Sequence, residues 1–147
     1  MLRKGTYVLF LRFPQGAAAE VGSLGRVELP PGDYCYVGSA RGGLDQRVGR
    51  HLSREKRIRW HIDRLTMICD DMSAMETEDP EITECMLAHA MLDIGNTPAV
   101  RGFGCSDCSC GTHLFRIDRG RTESALAGMG LVPFRECQTP ADRKHGR

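Results

Sequence analysis

The amino-acid sequence predicts a small α+β domain, in which a central and largely antiparallel sheet is flanked by helices. Strand-like apolar runs with short turns between them open the chain, and helical hydrophobic periodicity appears after residue 43. A length of 147 residues suits a single domain with its own core. We expect this domain to cover residues 1–135 and a flexible tail to cover residues 136–147.

The first three strands are predicted from composition and turns. Residues 5–12 (GTYVLFLR) are mostly apolar and rich in β-formers, as expected of a central strand. Residues 14–25 are rich in Gly and Ala and predict a loop. A short strand follows at residues 26–29, and the turn Pro-Pro-Gly then leads into a strand over residues 33–38.

Helices are predicted over residues 44–54, 60–66, 80–94 and 122–130. In the third of these, Asp79 is the expected cap, Pro80 occupies the first helical position and Gly95 ends the helix. Strands are expected in part of residues 67–77 and over residues 113–118, and a Gly/Cys loop over residues 102–111.

Charge is unevenly distributed, although the formal net charge is only +1 at pH 7. A basic stretch runs from residue 41 to residue 64, and an acidic stretch without Lys or Arg runs from residue 70 to residue 84. The basic stretch could bind a polyanion and the acidic stretch a cation. Two solvated surfaces of opposite charge explain the same pattern, so charge alone leaves both interpretations open.

The chain has seven cysteines, and we recognise no export signal and no apolar run of membrane length. The apolar run at residues 7–11 is short and is better explained as a strand. We therefore expect a cytoplasmic protein with reduced thiols. In such a protein, clustered cysteines indicate a metal site or packing rather than disulfides.

Two tyrosines, an arginine and a histidine form the first candidate site. Tyr7 lies early in the first predicted strand and Tyr36 late in the third, so pairing of these strands would bring both phenols to one end of the sheet. Arg47 and His51 are four residues apart and share a helix face. Arginine disperses phosphoryl charge and histidine can move a proton. Ordinary sheet tyrosines and a surface arginine are the alternative interpretation.

A carboxylate joins this set from the third predicted helix. Glu84 shares a helix face with Leu87, Ala88 and Met91. Burying a charge on an apolar face is costly unless the charge is paired or binds a cation. One such carboxylate, together with water and substrate phosphate, is a workable Mg²⁺ anchor, and an ion pair with an arginine is the alternative. We place Glu84 in the second helical turn, where the helix dipole stabilises an anion less than in the first.

The order of these motifs resembles the GIY-YIG nuclease superfamily. The tripeptides GTY (5–7) and YVG (36–38) are similar to its paired motif, with Thr6 and Val37 replacing the usual isoleucines. The stretches YCYVGSARGGLDQRVGRH, RWHIDRL, ECMLA and GFGCSDCSCGTHLF resemble more closely the Uri-type family of GIY-YIG-like proteins. The interval between the two motifs is longer than usual, which predicts an added hairpin arm.

This resemblance implies a GIY-YIG-like fold and an endonuclease that hydrolyses DNA phosphodiester bonds with Mg²⁺ or Mn²⁺, with DNA repair as its setting. By resemblance, Glu84 holds the metal ion. Tyr7, with Tyr36 or His51, positions or deprotonates water, and Arg47 offsets charge on the phosphoryl group.

Further residues follow from the same resemblance. Asn96 follows Glu84 at a spacing similar to that of an asparagine in several members, and it would hydrogen-bond within the site. Basic residues would contact the DNA backbone independently of sequence. They are Arg41, Arg50, Arg54, Lys56, Arg57 and Arg59.

The Gly/Cys loop carries a second candidate site. Cys105, Cys108, Cys110 and His113 have the donor types that suit Zn²⁺, and Cys85 or His61 could complete the site in space. Small buried cysteines are the alternative, and a Cys108–His113 nucleophile pair is a further one.

The sequence therefore leaves three functions to compare. The first is a metal-dependent endonuclease, the second is a non-catalytic nucleic-acid-binding module of the same fold, and the third is a zinc-stabilised interaction domain. The set of Tyr7, Tyr36, Arg47 and Glu84 favours the first, because a binding module has no need of Glu84.

Overall fold

The computed structural model describes residues 2–104 and 110–135. The strands are β1 (Gly5–Phe13), β2 (Ala17–Glu20), β3 (Arg26–Leu29), β4 (Gly32–Ala40), β5 (Asp71–Thr77), β6 (Thr97–Pro98), β7 (Leu114–Ile117) and β8 (Val132–Pro133). The helices are α1 (Leu44–Leu52), α2 (Asp63–Thr66), α3 (Glu84–Ile94) and α4 (Arg119–Gly128), with a 3₁₀ turn at Gly22–Leu24. None of the described helices is long and apolar enough to span a membrane.

The six-stranded sheet has the order β6-β7-β4-β1-β5-β8, and all its neighbours pair antiparallel. β1 is central, between β4 and β5. This mixed α/β architecture, with an antiparallel sheet and flanking helices, confirms the predicted fold class. Strands β2 and β3 form a separate two-stranded sheet, which confirms the predicted hairpin arm.

The sheet is covered on both faces, so β1 is buried along almost its whole length. Tyr7 and Leu9 pack into a cluster with residues of α1, α2 and the hairpin arm. Val8 and Phe10 point to the opposite face and pack with α3 and α4. Burial on both faces explains why the sequence of β1 is an almost continuous apolar run.

Several predicted boundaries were wrong. The predicted loop at residues 14–25 contains β2 and the 3₁₀ turn, and β4 continues past Gly38 to Ala40. The predicted helices at residues 44–54 and 60–66 are shorter, and the last one begins earlier, at Arg119, because Asp118 caps it by accepting from the Arg121 amide at 3.0 Å. The very short strands β6 and β8 were not predicted.

The predicted start of α3 was the boundary error with the largest consequence for the site. The helix begins at Glu84 rather than Pro80, because the Thr83 side chain caps it by accepting a hydrogen bond from the Met86 amide at 3.1 Å. Asp79 instead closes a local turn by accepting from the Glu81 amide. The predicted end is confirmed, with Gly95 in the left-handed conformation (φ 103°).

Gly38 lies opposite Tyr7 in the β1–β4 register. A Cβ at Gly38 would lie 2.4 Å from the Tyr7 phenolic oxygen, inside any normal contact distance. Gly38 lies inside β4. Its missing side chain makes room for the Tyr7 phenol.

We expect Gly38→Ala to destabilise the protein by about 1–3 kcal/mol, because the added methyl displaces the buried phenol. Urea unfolding followed by circular dichroism measures this change. Gly49→Ala is the matched control, since no atom lies within 4 Å of its added Cβ and alanine favours the helix by up to about 1 kcal/mol. Equal stability of Gly38→Ala and the native protein would contradict the packing described.

Candidate functional site

A buried hydrogen bond joins β1 to the last turn of α1. The Tyr7 phenol lies 2.8 Å from His51 Nε2. Both side chains are almost completely buried, Tyr7 at 2% and His51 at 1% exposure. His51 reaches the sheet because Leu44 and Val48 hold the apolar face of α1 against the same core cluster.

Burial sets the protonation states of this pair. It raises the pKa of Tyr7 above the usual value, an effect that the neighbouring Tyr36 adds to and the Arg47 cation opposes. Burial, with the charge of Lys56, lowers the pKa of His51 to about 3. Both groups are therefore neutral at pH 7. Within the described residues, His51 Nδ1 has no hydrogen-bond partner.

Tyr36 lies next to this pair on the same face of β4. It is opposite Leu9 in the register, two positions from the Tyr7–Gly38 pair. Its ring meets the His51 imidazole edge to face, with centroids 6.3 Å apart, and packs similarly on Phe103. The strand pairing therefore brings both predicted phenols to one histidine. Tyr34 is buried farther along β4 and donates to the Pro30 carbonyl, as expected of a structural residue.

Arg47 extends from α1 toward the end of β4. Its Nη1 donates to the Ser39 carbonyl at 3.2 Å, and its guanidinium lies 4.6 Å from the centre of the Trp60 ring. Stacking on an aromatic face holds the cation in place without blocking the in-plane N–H donors of the guanidinium. These contacts hold Arg47, which is partly buried.

Glu84 enters from the opposite side of the same strand end. Ser39 Oγ donates to Glu84 Oε1 at 3.3 Å, and Glu84 Oε2 lies 3.5 Å from His113 Nδ1. Within the described part of the chain, no arginine pairs with Glu84, and its one ion-pair contact is with His113. Its side chain is 36% exposed. As the first residue of α3, Glu84 also benefits from the helix dipole, contrary to the second-turn prediction.

An open cleft of about 850 Å³ lies beside Glu84. Ser39, Arg41, Gly104 and His113 also line it. A second pocket of about 440 Å³ is lined by Tyr36, Trp60, Phe103 and Gly104, among others. Gly104 borders both spaces, so the site faces two adjoining depressions. Tyr7 and His51 line neither and lie beneath this surface.

Asn96 is not brought to the site. It follows α3, an 11-residue helix, and so lies about 16 Å along the helix axis from Glu84. Its side chain donates to Thr122 Oγ1 at 2.9 Å and accepts from the Asp118 amide at 3.1 Å. The structure therefore assigns Asn96 to the joint between α3 and α4 rather than to the cleft.

Half of the predicted DNA-binding cations have internal partners. Arg50 binds both oxygens of the fully buried Asp63 at 2.9 Å, and Lys56 donates to the His51 carbonyl. Arg54 donates to the carbonyl of Cys69 at 2.6 Å. These three cations hold the segment between α1 and α2 against the domain.

The remaining three cations are exposed. They are Arg41, Arg57 and Arg59. Arg41 lines the cleft beside Glu84, and Arg59 lies near Trp60 with its guanidinium carbon 5.6 Å from the ring centre. These side chains are the ones that the structure leaves available to a polyanion.

A group of soft donors lies next to Glu84. One donor atom each from Cys85, Cys110 and His113 lies within 4.8 Å of the other two, an arrangement that could hold a metal ion. Two of the predicted zinc ligands, Cys105 and Cys108, lie outside the described residues. Cys85, which lies in α3, is one of the two residues that were predicted to complete the zinc site.

Sequence reasoning did not assign roles to Ser39, Trp60 and Asp63. Ser39 contacts both Arg47 and Glu84, Trp60 stacks on Arg47, and Asp63 anchors Arg50. Trp60 and Asp63 belong to the stretch RWHIDRL, where a single Trp amid arginines was the available signal. No sequence signal pointed to Ser39, because its role depends on strand pairing.

The chain belongs to the DUF123 family, a domain of unknown function, whose model matches residues 6–130. That interval covers every described residue of the site. No curated protein and no solved structure matches the chain.

We expect acid to destabilise the protein partly through His51. Because its folded pKa is about 3 and its unfolded pKa is about 6.5, the unfolded chain binds more protons between these values and stability falls as pH drops through this window. His51→Gln should lose this contribution. Between pH 7 and pH 5.5 the native protein should lose about 1 kcal/mol more unfolding free energy than the variant. Parallel losses in urea titrations at both pH values would contradict a buried, neutral His51.

Proposed function

We propose that this protein is a metal-dependent endonuclease of the GIY-YIG type, closest to the Uri-type family, that hydrolyses DNA phosphodiester bonds. One observation carries the proposal. Four elements distant in sequence converge near the end of β4: Tyr7 and Tyr36 both contact His51, and Arg47 and Glu84 both contact Ser39. Of these residues, Glu84 and Ser39 line the open cleft. That set combines a proton-transfer pair, an anion-binding cation and a hard carboxylate ligand.

The residues present fit a hard divalent cation. Glu84 offers a partly exposed carboxylate, unpaired with any arginine of the described chain, and the cleft has room for water and phosphate oxygens. Glu84 would hold Mg²⁺ or Mn²⁺. Such an ion, when bound, stabilises charge on the phosphoryl and leaving oxygens.

The protein's own groups would bind and orient the phosphodiester. Arg47, held by Trp60 and the Ser39 carbonyl, is placed to donate to a phosphoryl oxygen and to offset the charge that builds there. Arg41, at the cleft, and the exposed Arg57 and Arg59 would contact flanking phosphates, a sequence-independent and salt-sensitive role.

Tyr7 and His51 lie beneath the surface of the site, and their hydrogen bond would supply a route for the proton of the attacking water once that proton reaches the Tyr7 oxygen. As the water oxygen bonds to phosphorus, the water proton would pass to the Tyr7 oxygen. The bond to the leaving oxygen breaks, and that oxygen would take a proton from solvent in the open cleft. The Tyr7 proton passes to His51 Nε2, 2.8 Å away. Burial is the main cause of the low pKa of His51, and nearby cations including Arg47 lower it further, so a phosphate anion beside Arg47 would offset the smaller part of this effect. Tyr36, packed on His51 and lining the second pocket, orients the substrate.

A second candidate function, a zinc-stabilised interaction domain, is favoured by the group of Cys85, Cys110 and His113. Two thiols and an imidazole are softer donors than Mg²⁺ prefers and suit Zn²⁺. This candidate does not require Glu84 or Arg47, so variants at these positions separate the two functions.

We expect the purified protein with Mg²⁺ or Mn²⁺ to nick DNA. Glu84→Gln removes the metal-binding charge and Arg47→Ala removes the phosphate-binding cation, and each should lower nicking by at least about 100-fold. The assay is single-turnover cleavage of single-stranded, duplex, branched and damaged DNA, with circular dichroism as the folding check. Matched controls are the exposed Glu81→Gln and Arg64→Ala, which should leave cleavage unchanged.

Two outcomes would contradict the proposal. Native protein that binds these DNAs without nicking any of them would favour the non-catalytic binding module. Cleavage that persists unchanged in both Glu84→Gln and Arg47→Ala would come from a contaminating nuclease.

A further inference from the structure

The soft-donor group joins two segments that are separate in sequence. Cys85 is the second residue of α3, whereas Cys110 and His113 precede β7. Their donor atoms lie within 4.8 Å of one another. In a tetrahedral zinc site with Zn–S bonds near 2.3 Å, two sulfur ligands are about 3.8 Å apart. The group is therefore close to ligand spacing and needs only small side-chain adjustments to reach it.

Other cysteines in the structure have ordinary packing contacts. Cys35 is buried under α3, with its Sγ 3.6 Å from Met91 Sδ, and Cys69 donates to the Thr66 carbonyl. Cys85 and Cys110 differ from these two because both are partly exposed and lie together with a buried imidazole. Two thiols and a histidine from separate segments thus converge on one point.

We propose that Cys85, Cys110 and His113 bind a structural Zn²⁺ that fixes the first turn of α3 to the segment before β7. A tetrahedral ion would have one further position, for water or another donor. Glu84 is adjacent to Cys85 in the chain and contacts His113, so the zinc site holds this carboxylate at the cleft. Only this last consequence rests on the proposed nuclease function, because zinc binding itself needs no DNA.

Metal analysis tests the proposal on the full-length protein, purified without chelator and analysed by plasma mass spectrometry. We expect about one zinc per chain in the native protein and at least a tenfold loss in Cys85→Ser and in Cys110→Ser. Cys69→Ser is the matched control, since this buried thiol lies outside the group, and it should keep its zinc. The native protein should also melt several degrees lower after chelation and recover when zinc is restored.

Glu84→Gln distinguishes failure of this proposal from failure of the nuclease proposal. It should lose nicking yet keep zinc, because its carboxylate is not one of the three donors. Cobalt added to zinc-free protein should give thiolate-to-cobalt absorption that Cys85→Ser weakens, a readout independent of whether the variant survives purification. A native protein that is folded, contains no zinc and gives no such absorption would overturn the proposal. Zinc retained in both Cys85→Ser and Cys110→Ser would do the same.

Discussion

The close approach of Tyr7 to Gly38 is the constraint on which the site depends. The phenol occupies the space that a side chain at Gly38 would fill, and only the observed β1–β4 register places a glycine there. With the phenol fixed, its hydrogen bond to His51 sets how α1 lies on the sheet. The position of Arg47, one helical turn earlier on α1, follows from the same docking. A one-residue slip of the register would bury a different side chain and separate all three.

Internal ion pairs determine how much positive charge the molecule presents. Arg50 binds the buried Asp63, which also accepts hydrogen bonds from the amides of Arg59 and Trp60. Burial alone would raise the pKa of Asp63, but these partners outweigh that effect and lower it. The pair thereby holds Trp60 where it stacks on Arg47. Part of the basic stretch is thus a scaffold for one cation at the site rather than a uniform DNA-binding surface.

The central strand, the flanking helices and most of the site were accessible from the sequence. Tyr7, Tyr36, Arg47 and His51 are placed by strand pairing and helical spacing, which follow local rules. Glu84 was identified because it shares one face of a predicted helix with apolar residues. The predicted helix began at Pro80, four residues before the observed start of α3.

The errors arose where two local signals compete or where a contact is long-range. Asp79-Pro80 is a good helix start, yet Thr83 caps the helix that packing selects. Asn96 was assigned to the site by its spacing from Glu84 in the family that the sequence resembles, although the predicted helix over residues 80–94 already separated the two residues. Cys85 was correctly named as a residue that could complete the soft-donor site, although no sequence period encodes its convergence with His113.

We propose that the buried Tyr7–His51 pair transfers a proton during DNA cleavage and is not merely structural. Tyr7→Phe tests this role, because the change removes one oxygen while keeping the ring that fills the space beside Gly38. Single-turnover nicking and DNA affinity should be measured on the same preparation with Mg²⁺. We expect nicking to fall by about 100-fold or more while DNA affinity stays unchanged. A folded Tyr7→Phe protein that nicks DNA at the native rate would contradict it.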